Sequence, residues 1–86
     1  MKLENQSGHR IRAARNMRDP KWTQDDLLAK MHTRHHMVFT RNTISRIETG
    51  QRYVTDLELI AFADVLQVST AWLLGETFDP TPKKKY

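Results

Sequence analysis

Arg41, Asn42, Ser45 and Arg46 stand together in the stretch TRNTISRIETG, Thr40 to Gly50. Arginine bonds the O6/N7 edge of guanine with two parallel donors, and asparagine does the same for the N6/N7 edge of adenine. At about 100° per residue, the wheel of a helix over this stretch separates two faces. Thr43, Ile44, Ile47 and Glu48 gather on one side, and Arg41, Asn42, Ser45 and Arg46 on the other. The isoleucines would hold the helix to a core, while the opposite face offers planar hydrogen-bonding groups to a base edge. A solvated polar face explains the same residues without any ligand.

A second group is His32, His35 and His36, with Arg34 among them. Their i, i+3, i+4 spacing would bring two or three imidazoles to one side of a helix, a possible start for a metal site. The chain has no cysteine, and no carboxylate lies beside these histidines in sequence. No metal is expected. Protonated, the histidines could instead join Arg34 at a phosphate. Asp25 and Asp26 fall in the first turn of a helix, where the macrodipole favours anions, so they read as helix-starting residues. There is no glycine-rich phosphate loop, no nucleophile-and-base order and no carboxylate pair away from helix starts. An enzyme is not expected, nor a cofactor, and no small-molecule ligand is evident.

The elements that position these groups are punctuated by one repeated pattern. An apolar residue precedes Ser or Thr, and another apolar residue follows four positions later. The four cases are Trp22-Thr23…Leu27, Phe39-Thr40…Ile44, Val54-Thr55…Leu59 and Val68-Ser69…Leu73. Each reads as an N-cap hydroxyl with a hydrophobic staple across it, and Glu58 completes a capping box with Thr55. A first helix is expected over Ser7–Met17, with Ile11 and Ala14 inward and Arg10, Arg12 and Arg18 outward. Asp19–Lys21 breaks it. The second starts at Thr23 with Leu27, Leu28 and Met31 on one face. The third is Arg41–Glu48, closed at Gly50. The fourth runs from Thr55 to Leu66 with Leu59, Ile60, Ala63 and Leu66 as its apolar stripe. The fifth is Ser69–Leu74, ended by Gly75. No strand period competes, so the fold class is all-α, a compact bundle of five helices.

Eighty-six residues make one small domain. No apolar run is long enough to cross a membrane, no signal-type stretch opens the chain, and a cytoplasmic location fits the absence of cysteine. Charge is uneven. Residues 1–52 hold eleven Lys or Arg against five acids, a net +6, and residues 53–86 hold three Lys against five acids, a net −2. A basic half backed by an acidic one suits a polyanion on one side.

The segments WTQDDLLAKM, TRNTISRIETGQRYVTDLELIAFADVL and QVSTAWLLG, in this order and spacing, resemble the helix-turn-helix family of phage repressor and Cro proteins, the XRE-like regulators. The likeness covers Gly8 to Gly75. It implies a lambda-repressor-like domain over residues 1–75; the two prolines and three lysines of ETFDPTPKKKY read as a flexible basic tail over 76–86. The resemblance implies a sequence-specific regulator of transcription, a repressor by default, nucleoid-associated and bound to operator double-stranded DNA as a homodimer on an inverted repeat. By position it assigns base reading to Arg41, Asn42, Ser45 and Arg46. It assigns phosphate contacts to Gln24, Arg10, Thr49, Gln51, Arg52 and Tyr53, and a structural ion pair to Arg15 and Glu48. The connection His32–Thr40 is longer than the family's usual tight turn. Helix two is expected to run on through the histidines, and Met37–Phe39 to bring the chain back. The rival is a protein-interaction module on the same fold, for which Tyr53, Trp72, Leu74 and Phe78 are candidate exposed apolar residues. A dimer seam is expected near the helix three–four loop and helix five. The terminal KKKY keeps three readings: phosphate attraction, a solvated end, or an appended segment.

Overall fold

Four hydroxyls start four of the five helices. In the computed structural model, which describes residues 2–82, the helices are α1 (Gly8–Asn16), α2 (Gln24–His35), α3 (Arg41–Glu48), α4 (Asp56–Leu66) and α5 (Thr70–Leu73). Thr23, Thr40 and Thr55 each accept the amide of the third residue on at 3.1 Å, and Ser69 accepts that of Trp72 at 3.0 Å. Each bond satisfies a donor that the first helical turn leaves without a partner. Asp26 returns a bond to the Thr23 amide at 2.7 Å, so α2 carries a second capping box that was not anticipated.

The apolar residues flanking these caps turn toward the core. Phe39, Ile44, Leu27, Val68 and Leu73 are buried, and Trp22, Val54 and Leu59 pack against the core at its edge. The core gathers around Phe62 and Ile11, Leu27, Met31, Ile44, Ile47 and Leu73, all essentially inaccessible. Phe39 meets Phe62 with centroids 5.7 Å apart. α1 packs on α3, α4 and α5, and α2 on α3 and α4. The radius of gyration is 12.0 Å, close to the roughly 12 Å of a compact chain this long. Among the described residues there is no strand, and no helix is long and apolar enough to cross a membrane.

The stripe expected on α4 needs correction. Ile60 is 56 % exposed, and the buried face is Ala61, Phe62, Ala63, Val65 and Leu66. Because α4 is apolar nearly all round, periodicity could not choose its inner face.

The long connection resolves simply. α2 runs through His35, and His36 ends it in a left-handed conformation, φ 56°, with Met37 N–H bonded to the Met31 carbonyl at 3.3 Å. Val38 points into solvent and Phe39 turns in to start α3. His35 Nε2 lies 2.8 Å from Asp64 on α4, and Arg34 lies 3.2 Å from the same carboxylate. A carboxylate therefore does lie near the histidines. It is 29 positions away in sequence, which is why sequence spacing did not reveal it. After α5 the segment 76–82 turns back, and the Pro80 carbonyl accepts the Ser69 amide at 2.9 Å. The KKKY segment lies outside the described residues.

Candidate nucleic-acid interface

α3 is held from below by a buried ion pair. Arg15 on α1 donates from Nε to Glu48 Oε2 at 2.8 Å and from Nη2 to Oε1 at 2.9 Å, with side chains only 10 % and 2 % exposed. The third branch of the guanidinium, Nη1, donates to the Trp22 carbonyl at 2.8 Å, just before α2 begins. Gln24, the first residue of α2, donates its amide to Glu48 Oε1 at 3.1 Å. One carboxylate at the end of α3 thus ties together α1, the α1–α2 loop and the start of α2. Buried charges tolerate this only when paired and hydrogen-bonded, and here both are.

The C-terminal end of α3 is anchored as tightly. Gly50 takes φ 81°, and the N–H groups of Gly50 and Gln51 close on the carbonyls of Ile47 and Arg46 at 3.1 and 2.8 Å. This double bond pattern is a Schellman ending, which needs the left-handed residue that glycine supplies. The N-terminal segment also clamps this end, a role not read from sequence. Asn5 donates to the carbonyls of Ile47 (3.0 Å) and Arg52 (2.7 Å) and accepts from the Gly8 amide (2.7 Å). An asparagine near a helix start signals a turn, but nothing in sequence said that it would reach across to α3.

The outer face of α3 is open. Arg41, Asn42 and Arg46 are exposed, and Ser45 is half-buried between them. Among the described residues, Asn42 and Arg46 have no side-chain hydrogen-bond partner within the chain. Arg41 does: its Nε donates to Asp25 Oδ1 at 3.1 Å and its Nη2 to Asp25 Oδ2. The hydrogen bond from Arg41 holds the Asp25 carboxyl below its usual range. An open cleft of about 510 Å³ lies beside this pair, lined by Lys21, Thr23, Gln24, Asp25 and Arg41 with Trp22 and Arg15 at its floor. Lys21 was not singled out in sequence, where it read as part of a helix-breaking turn.

The residues expected to flank this face differ in how free they are. Gln24 has one amide hydrogen committed to Glu48 and one remaining. Gln51 is exposed. Thr49 turns its hydroxyl back to the carbonyls of Ser45 and Arg46 at 3.0 and 3.3 Å. Tyr53 is 70 % exposed, and the neighbouring Glu4 carboxylate pushes its pKa up. Arg52 is spent inside the fold. It grips Glu58 with two bonds of 3.0 and 3.1 Å, donates to the Tyr53 carbonyl at 2.8 Å and lies over the Phe39 ring. Arg10 rests its guanidinium against Gly75 at the end of α5. Arg18 covers the Trp22 ring at 4.4 Å.

Two helices, the second displayed outward on a braced scaffold of three others, define a helix-turn-helix domain. A helix-turn-helix family model (HTH_3) matches residues 11–73, and the chain belongs to this Cro/C1-type, XRE-like family of DNA-binding regulators. A comparison with curated proteins gave no significant match. The family is normally non-enzymatic. Among the described residues, no group of three His, Cys, Asp or Glu is arranged to hold a metal ion.

Proposed function

We propose that the protein is a sequence-specific repressor of transcription, acting in the cytoplasm as a homodimer on an inverted-repeat operator. α3 lies in the major groove, where Arg41, Asn42 and Arg46 read base edges and Ser45 adds a contact. The observation that carries this is the contrast within one short helix. Its inner side is fixed by Ile44, Ile47 and the paired Glu48, while Asn42 and Arg46 are exposed and have no side-chain hydrogen-bond partner among the described residues.

Phosphates set the register. Gln24 at the start of α2 has a donor and a helix N-terminus to offer, and Gln51 flanks the other end of α3. Thr49, Tyr53, Arg52 and Arg10 donate to phosphate by leaving the partners described above. Of these, Arg52 has the most to lose. The dimer seam runs by the α3–α4 loop and α5, where the exposed Tyr53 supplies apolar surface.

The second reading, a protein-interaction module, is favoured by one observation. Leu57 and Ile60 stand one turn apart on α4 with 68 % and 56 % of their surfaces exposed. Selection of bound sequences from a random duplex pool at about 150 mM salt separates the two, because unspecific attraction is weakened there. Recovery of an inverted repeat supports the repressor reading. A folded protein that enriches no motif would give way to the interaction module.

A further inference from the structure

The pairing of Arg41 with Asp25 joins the first turn of α3 to the first turn of α2 outside the core. Both side chains are largely in solvent, 68 % and 55 % exposed, so the pair adds little to fold stability. Asp25 is not required to cap α2 either. Thr23 and Asp26 already form the capping box there. The carboxylate has a different geometric consequence. A guanidinium carries five N–H donors in a planar fork. Asp25 takes the Nε edge through Nε and one hydrogen of Nη2. Among the described residues, nothing pairs with the end-on edge, made of Nη1 and the second Nη2 hydrogen. Two parallel donors on that edge match the O6/N7 acceptor pair of guanine.

We propose that Asp25 is a specificity-determining positioning residue: it holds Arg41 so that its free edge meets a guanine, and it disfavours the use of Arg41 as a loose phosphate contact. The inference rests on the proposed reading of α3 as a base-reading helix.

The mechanism has two parts. A long arginine samples many rotamers, and a partner on one edge removes most of them before DNA arrives, so less freedom is lost on binding. A carboxylate beside the major groove also repels the phosphate backbone. Its charge therefore lowers affinity for DNA in general while sharpening affinity for the right base. Discrimination and bulk attraction are pulled in opposite directions by the same side chain, which a merely structural aspartate would not do.

The test compares wild type, Asp25→Asn, Asp25→Ala and Arg41→Ala by sequence selection. Titrations follow on the recovered duplex, on its single-base variants and on a random duplex. Thermal melting establishes that the variants are folded. The expected result is a guanine preference at one position of each half-site. Asp25→Asn and Asp25→Ala weaken it by about fivefold or more, the low end of what a bidentate arginine–guanine pair discriminates. Arg41→Ala abolishes it at that same position. Affinity for the random duplex stays level or rises in both Asp25 variants. Adding Asp25→Ala to Arg41→Ala changes preference no further, because the aspartate acts through the arginine. If the wild type selects a motif and the Asp25 variants keep the same preference while all duplexes bind more tightly, Asp25 is only a charge near DNA and the positioning role is overturned. If the wild type selects no motif, the base-reading account of α3 falls and this inference with it.

Discussion

Arg15→Ala removes one partner of a pair that is almost wholly buried. Glu48 is left 2 % exposed with one remaining side-chain donor, the Gln24 amide. The Trp22 carbonyl loses its guanidinium as well. Breaking one side of a buried ion pair costs about 3–5 kcal/mol, chiefly because the other charge stays behind. A chain of this length has about 4–13 kcal/mol of total stability, so the variant is at the edge of folding. For a domain of this size each kcal/mol moves Tm by about 4–8 °C, which predicts a fall of at least ~12 °C. The double variant Arg15→Met, Glu48→Met replaces the pair by apolar groups of similar length. It should recover most of the loss, to within ~2 kcal/mol of wild type, since only the Trp22 carbonyl and Gln24 amide go unpartnered. Urea unfolding followed by helical circular dichroism reads both. A single variant that loses under ~1 kcal/mol, or a double variant as unstable as the single, would refute the view that Glu48 is a buried charge in need of its partner.

Other outcomes follow from the same structure. Gly8→Ala should be more damaging than Gly50→Ala, although Gly50 has the positive φ. A Cβ at Gly8 would sit 1.9 Å from the Ile47 carbonyl oxygen, which is backbone, whereas at Gly50 it meets the flexible end of Leu3 at 2.7 Å and otherwise bears the roughly 1–2 kcal/mol of a left-handed alanine; thermal melts rank the two. Burial opposes ionisation of Glu58, but the bonds from Arg52 and Thr55 outweigh it and hold its carboxyl below the ordinary 4.5. A lowered folded pKa gives stability that is present above 4.5 and lost as pH falls through the folded value. The gap in Tm between wild type and Glu58→Gln should accordingly shrink on going from about pH 7 to about pH 3; a gap that stays constant would remove Glu58's charge from the account. Arg46→Ala should cost about 1–3 kcal/mol on the selected duplex and relax preference at one base position, as read by titration; an equal loss on random DNA would make Arg46 a phosphate contact.

The start of each of α2 to α5 was legible because N-caps are local chemistry. A hydroxyl with an apolar residue before it and another four positions after it says where a helix begins whatever surrounds it, and Thr23, Thr40, Thr55 and Ser69 all do so. The inner face of α4 was not legible, since Phe62 and Ile60 are both strongly apolar and only the packing of α1, α2 and α5 against α4 distinguishes them. The pairing of Arg15 with Glu48 came from family resemblance; spacing alone does not join residues 33 positions apart. The same limit hid the partners of Asp25, Arg52 and His35. Each had a sufficient local explanation, as helix-start charge, loop cation or solvated imidazole. Sequence gave no way to see that Arg41, Glu58 and Asp64 would meet them. Resemblance marked Arg52 as free to reach outward, and the fold engages it within the chain instead.

The outer face of α3 is proposed to read bases from the major groove. Methylation interference on the selected duplex tests it most directly, because methyl groups on guanine N7 project into the major groove and those on adenine N3 into the minor groove. N7 methylation should block binding at guanines in two half-sites one helical turn, ~34 Å, apart. Arg46→Ala and Arg41→Ala should each lose sensitivity at one of those guanines. Indifference to N7 methylation throughout the site, with interference from N3 methylation alone, would contradict major-groove reading by α3.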